Sequence, residues 1–264
     1  MKRLELIQLW IAQGFIQPKA GMQLEDIGNQ YFNSLLGRAF FDNVEKDDFG
    51  NIVSCQMHDL VDVLACFVAQ DESSTVQIDE NIMFPCVCCY SSIICRDSTP
   101  STILEVACET KKLRSFFLLV GTNRWDEDPE SYIAKNDLMF SKAISNLTHR
   151  RALRLDCLSN KNIVSIVGRL KHLRFLRLQH LQVEVLPDSI TNLHYLQTLD
   201  LYSCSKLKEL PKGRKKMSSL RLLGIADCSR LTSVLCGLGA LTNLQTLPLF
   251  YVSGNQSDGT IAEL

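Results

Sequence analysis

The chain has no apolar run approaching the ~18–20 residues that span a bilayer, although 46% of its 264 residues are hydrophobic. No signal peptide is expected either: Met1-Lys2-Arg3 is basic, but Glu5, Gln8 and Gln13 interrupt the apolar stretch after it. It lacks GxxxxGK[ST], the loop whose backbone amides cradle phosphates. Its histidines (His58, His149, His172, His180, His194) sit in unrelated local contexts, with no nucleophile–base pair at useful spacing. No segment has the polar, aromatic-poor bias of disorder. These absences argue against a membrane-spanning protein and an enzyme, and lead to the expectation of a soluble, cytoplasmic one.

Cysteine is plentiful, but its pattern is not that of a disulfide framework. The eleven residues are odd in number and scattered at apolar or repeat positions such as Cys55, Cys66, Cys157, Cys204 and Cys228. Reduced thiols pack as small hydrophobes. The cluster Cys86, Cys88, Cys89 and Cys95 is followed by no second cysteine pair and no histidine pair, so no metal is expected.

The net charge of −1 conceals a strong polarity. Residues 1–110 hold 6 Lys/Arg against 16 Asp/Glu, and residues 111–230 hold 22 against 11. Such a chain reads as two domains that face different partners or each other.

A leucine frame repeats from residue 170 onward. Leu173, Leu176 and Leu178 recur after 23 residues as Leu196, Leu199 and Leu201. Shifts of 24 then give Leu220, Leu223 and Ile225, followed by Leu244, Leu247 and Leu249. Leu153 and Leu155 fit the frame upstream, as do Leu113, Phe116 and Leu118 before an insertion that carries Trp125 and Asp126-Glu127-Asp128. Three residues after each triplet come Leu158, Leu181, Cys204 and Cys228, where the chain should turn off a strand. Leu186-Pro187 and Leu210-Pro211 close two units, with proline setting φ for the next turn. The spacing breaks the helical period at every LxL, so each unit predicts a short strand and a return segment that stack into a solenoid. Val87 to Cys95 reads as a capping strand.

Residues 1–70 read differently. Leu4, Ile7, Leu9, Trp10, Ile11 and Phe15 predict a helix that ends near Gly14, and Ile27, Tyr31, Leu35 and Leu36 predict a second. Phe40-Phe41 opens a strand, Asp47-Asp48-Phe49-Gly50-Asn51 is turn chemistry, and Ile52–Cys55 returns. A third helix begins near His58-Asp59, with Asp59 the expected N-cap, and runs through Leu60, Val63, Leu64 and Phe67. Helices, a hairpin and a further helix make a winged-helix pattern.

Three stretches carry a resemblance to the coiled-coil class of plant NB-ARC leucine-rich-repeat disease-resistance proteins. Leu6 to Ile16 resembles that family's LIxLWIAxGFI signature. Met57-His58-Asp59 resembles its MHD motif, and Leu247 to Val252 its TLPLFxV stretch. The order matches along nearly the whole chain, although Asp62-Val63 stands where His-Asp is usual. The resemblance implies an innate-immune receptor fragment in which the motif Met57, His58, Asp59 belongs to an ADP/ATP switch and His58 contacts the ADP β-phosphate. It implies protein partners: an intramolecular contact between switch and repeats, and a pathogen effector or guarded host protein.

The expected fold is thus α/β and multi-domain. Residues 1–70 would be a winged helix, 71–110 a linker with a capping strand, and 111–264 a leucine-rich-repeat horseshoe truncated at its C-terminus, the chain beginning after the phosphate loop. No cofactor is expected in the fragment itself, because that loop is missing. DNA binding is not expected, since residues 1–70 carry five basic and nine acidic side chains. Arg151, Arg154, Arg174 and Arg177 read as a protein-docking patch, complementary to the acidic winged helix. Lys212, Lys215 and Lys216 read as a solvated face. The alternative class is a repeat-based substrate adaptor or scaffold without switch function.

Overall fold

The computed structural model describes residues 1–77, 88–95, 110, 112–120, 141–142, 144–156, 161–231 and 238–246. The chain divides into two compact units, Met1–Ser73 and Ser74–Leu264.

In the first unit, helix α1 (Arg3–Gln13) ends at Gly14, which takes the left-handed conformation (φ 82°) and returns its N–H to the Ile11 carbonyl. Helix α2 (Leu24–Gly37) comes next. Strands β1 (Phe41–Lys46) and β2 (Ile52–Met57) pair antiparallel. The turn between them is organised by Asp47, whose carboxylate accepts from the Phe49 and Asn51 amides at 3.0 and 2.8 Å. The core gathers Ile7, Ile11, Ile16, Ile27, Phe32, Phe41 and Cys55, with Phe32 stacked on Phe41 at 5.2 Å. Helix α3 (Asp59–Ala69) completes the pattern.

The second unit is built on a seven-stranded sheet in the order β3 (Ser73–Gln77), β4 (Tyr90–Cys95), β5 (Ser115–Val120), β6 (Ala152–Asp156), β7 (Phe175–Gln179), β8 (Thr198–Asp200) and β9 (Leu222–Gly224). From β4 to β9 the pairs are parallel, and the repeat frame is the register: Leu153 faces Leu176, Leu176 faces Leu199, and Leu199 faces Leu223. All these leucines enter one core. Return segments fill the same core from helix α4 (Lys161–Val167) and from a short 3-10 turn at 188–192, while the equivalent turn at 212–216 buries Arg214. Pro187 and Pro211 stand at the N-caps of those turns, with φ of −66° and −59°. Cys204 and Cys228 occupy the turn-off position, and their thiols donate to the Leu178 and Leu201 carbonyls of the preceding repeat.

One expectation needs refinement. Strand β3 lies in a stretch read as linker, yet it stands at one end of the repeat sheet. The expected capping strand is present as Tyr90–Cys95, and its expected start at Val87 lies outside the described residues, as do Leu158, the insertion around Trp125 and Asp126-Glu127-Asp128, and the stretch from Leu247 to Val252.

Candidate nucleotide-sensing and docking residues

The winged-helix hairpin delivers the Met57-His58-Asp59 motif. Strand β2 ends at Met57, and the His58 amide donates to the Phe40 carbonyl at 3.0 Å, which ties the motif to the residue just before β1. His58 then adopts extended backbone (φ −61°, ψ 134°) while its carbonyl accepts from Val61 and Asp62. It is therefore the N-cap of α3, and the expectation that Asp59 fills that position is incorrect. The His58 Nδ1 accepts from the Leu60 amide at 3.2 Å. An imidazole ring brings an acceptor nitrogen to the first turn just as a short polar side chain does.

That bond has a chemical consequence. With Nδ1 accepting, the neutral ring carries its proton on Nε2, and that N–H is a donor available to an anion. Met57 and His58 are half-buried, whereas Asp59 is exposed. The arrangement can present one N–H donor beside a helix N-terminus.

The four arginines separate into two groups. Arg154 and Arg177 stand at one register position on β6 and β7, on the sheet face opposite the leucines. Arg154 contacts the Asp156 carboxylate at 3.2 Å and donates to Gln179 Oε1 at 2.6 Å. Arg177 lies 3.4 Å from Asp200 and 5.9 Å over the Tyr202 ring, and only 4% of its surface is exposed. Both guanidiniums are thus engaged by neighbouring repeats. Burial pushes the Asp156 carboxyl above its ordinary 3.8, with Arg154 and Arg177 pulling the other way.

Arg151 and Arg174 occupy the residue just before each strand. There the Arg174 amide donates to the Arg151 carbonyl at 2.8 Å, and the Arg151 amide to that of Arg114 at 2.7 Å. Burial and the like charges of Arg174 and Arg114 depress the Arg151 pKa. Arg221 falls at the same backbone position beyond Gln197. Sequence reasoning missed Arg114 and Arg221, though the residue preceding each strand was available as a signal in the repeat frame. It also missed Arg150, whose buried guanidinium donates to the Thr110 carbonyl at 2.8 Å. Lys212, Lys215 and Lys216 are exposed.

Among the described residues, no cluster of three or more metal-ligating side chains occurs, and no helix is long and apolar enough to cross a membrane.

A winged helix with a histidine-capped third helix, followed in sequence by parallel repeats with an LxL core, defines the class. Residues 1–65 match the family described as Disease resistance protein Winged helix domain, and residues 131–264 match Leucine-rich repeat region. The chain is 30% identical over 92% of its length to Putative disease resistance RPP13-like protein 3 of Arabidopsis thaliana, covering 27% of that protein. It is 28% identical over its whole length to Disease resistance protein RGA5 of Oryza sativa subsp. japonica, covering 25% of it. It is also 29% identical over 94% of its length to Late blight resistance protein R1-A of Solanum demissum, covering 20%. The chain belongs to the disease-resistance proteins that carry this winged helix and leucine-rich repeats. It spans about a fifth to a quarter of the length of these relatives.

Proposed function

We propose that the chain is the winged-helix end and first repeats of a plant innate-immune receptor, acting in defence without enzymatic turnover of its own. The observation that carries this reading is the Met57-His58-Asp59 motif set at the junction of β2 and α3 and followed by in-register leucine-rich repeats. In the complete receptor the winged helix closes an ADP/ATP switch, and the His58 Nε2–H donates to the ADP β-phosphate in the resting state. The repeats serve as a platform for protein recognition and for holding the receptor closed. Their partners are the switch domain of the same molecule and a pathogen effector or guarded host protein. The receptor works in the cytoplasm.

The fragment by itself does not hold ADP usefully. One charge-assisted hydrogen bond supplies about 1.5–3 kcal/mol, at best a millimolar-range affinity. The backbone cradle and lysine of a phosphate loop are missing from these 264 residues. Titration calorimetry of ADP into the chain should show no saturable heat below the millimolar range, and micromolar binding would contradict this part of the reading.

The docking role falls to the basic side of the early repeats, where Arg151 and Arg174 stand with Arg114 in one column, flanked by Arg154 and Arg177. The opposing surface is the acidic winged helix, and the charge imbalance between the two halves supports the assignment. Reversing Arg151 and Arg174 to Glu in a complete receptor should release it into constitutive signalling. A receptor that stays quiet after this reversal contradicts the docking role.

A further inference from the structure

Cys204 and Cys228 are equivalent residues on adjacent turns of the repeat unit. Each follows a residue in the left-handed conformation, Ser203 with φ 55° and Asp227 with φ 59°, so the two turns have one shape. The Ser203 amide donates to the Ala226 carbonyl at 2.9 Å, and its hydroxyl donates to the Asp227 carboxylate at 3.4 Å, which holds the turns side by side. Both thiols point the same way: Cys204 Sγ donates to the Leu178 carbonyl at 3.4 Å, and Cys228 Sγ to that of Leu201 at 3.0 Å. Neighbouring rungs of a sheet stand about 4.7–4.9 Å apart. That spacing falls inside the roughly 4.4–6.8 Å between Cα atoms that a disulfide spans. Leu181 fills the same position one repeat earlier and is wholly buried, so packing alone does not call for sulfur there.

The two thiols differ in access. Cys204 is fully buried, whereas Cys228 is half-buried and open to a small solute. Contact between them also sets their acidities apart. The hydrogen bond from Cys204 pulls Cys228 below the ordinary thiol value, and the same bond together with burial pushes Cys204 up. Cys228 is therefore the thiol that meets an oxidant as thiolate, and Cys204 is the partner behind it. Among the other described cysteines, Cys55 and Cys66 belong to the winged helix, and Cys88 and Cys89 precede β4. The couple stands apart from all four in the fold.

We propose that Cys204 and Cys228 form a redox modification site, at which hydrogen peroxide oxidises Cys228 and Cys204 then closes a reversible disulfide between the two repeats. The Cys228 thiolate attacks one peroxide oxygen and the O–O bond breaks. The leaving hydroxide takes up the proton that Cys228 gave up and becomes water, while Cys228 becomes a sulfenic acid. Cys204 next displaces that hydroxyl: the S–S bond forms, the S–O bond breaks, and the Cys204 proton leaves with the oxygen as a second water. Two thiols are oxidised by two electrons in all, and one peroxide is reduced to two waters. The Leu178 and Leu201 carbonyls lose their thiol donors, and the basic turn at 212–216 is enclosed in a covalent ring. The site is independent of the receptor reading above, and its failure would leave that reading intact.

The test treats the complete, reduced 264-residue chain with hydrogen peroxide, alkylates the remaining thiols, and weighs tryptic peptides without reduction. Trypsin releases peptides 178–206 and 222–230, each with a single cysteine. A joined species, lighter than their sum by two hydrogens, should be the dominant cross-link. It should form at least ~10-fold faster in the folded chain than in urea, and dithiothreitol should abolish it. Cys204→Ser should leave Cys228 as a sulfenic acid that dimedone traps. In Cys228→Ser the buried Cys204 should resist peroxide. A folded parent chain in which peroxide leaves both thiols free overturns the proposal. So does a Cys204–Cys228 link that forms as fast in urea, or oxidation that joins other cysteines in preference to these two.

Discussion

Arg177 and Asp200 share one register position on neighbouring repeats, and their charges meet at 3.4 Å with the arginine almost wholly buried. The contact fits because the next residue in the column is Gly224, where a Cβ would stand 2.5 Å from the Asp200 Oδ1. A run of arginine, aspartate and glycine across three strands thus replaces what the bare repeat pattern would fill at random.

Removing one member of a buried pair costs more than removing both, because a desolvated charge loses its counter-charge. Asp200→Ala should lower the stability of the repeat unit by roughly 3 kcal/mol. The double variant Arg177→Met, Asp200→Leu should lose less than half of that. Urea melts followed by circular dichroism give both numbers, and equal losses would place the stabilisation elsewhere than in this pair.

Asp156 gives stability a pH dependence of defined sign. Its pKa is raised by burial above the ordinary 3.8, so the folded state binds the proton more tightly than the unfolded chain does. The contribution is fully present below 3.8 and is lost as pH rises through the folded pKa. Relative to Asp156→Asn, the parent protein should therefore weaken as pH is raised from about 3.5 toward neutrality. Paired urea melts across that window test it, and a difference that stays flat or grows in favour of the parent reverses the assignment.

Two glycines should respond to alanine in opposite directions. At Gly168 a Cβ would lie 2.5 Å from the Ser189 carbonyl carbon and 2.6 Å from its oxygen, and backbone cannot yield as a side chain can. Gly168→Ala should cost about 1–3 kcal/mol. Nothing lies within 4 Å of a Cβ at Gly37, the last residue of α2, so Gly37→Ala should be neutral or gain up to ~1 kcal/mol. Thermal melts of the two variants decide the matter.

His58 should be replaceable as a cap. Loss of the bond to the Leu60 amide in His58→Ala should cost α3 about 1 kcal/mol, read as faster amide hydrogen exchange in that helix. His58→Ser, whose hydroxyl can accept the same N–H, should restore most of the protection. Exchange unchanged in His58→Ala would mean that the cap contributes nothing.

Much of the repeat unit was legible because its leucines obey a translation: a shift of 23 or 24 residues is a strand register, so finding the frame in Leu153, Leu176, Leu199 and Leu223 was equivalent to finding the sheet. The winged helix was legible from punctuation, with Gly14 ending one helix and Asp47 to Asn51 turning the hairpin. Local chemistry misassigned the cap, since aspartate is the better intrinsic N-cap and only the Phe40 contact places His58 one residue earlier. The pattern could not reveal that Leu60, Val63, Leu64, Phe67 and Val68 of α3 stand exposed, because an apolar stripe records what a helix needs and not whether it is met. Nor could it reveal that Arg154 is held by Gln179 and Arg177 by Asp200 and Tyr202, since those partners come from the next repeat.

On the function proposed above, His58 reads a bound nucleotide as well as capping α3, and His58→Ser separates the two roles by keeping an acceptor for Leu60 while removing the imidazole. The measurement is ion leakage from leaf tissue expressing a complete receptor that carries this winged helix and these repeats, with no pathogen present. The account predicts that His58→Ser triggers leakage at protein levels equal to the quiet parent. A His58→Ser receptor as quiet as the parent would contradict it and leave His58 as the cap of α3 alone.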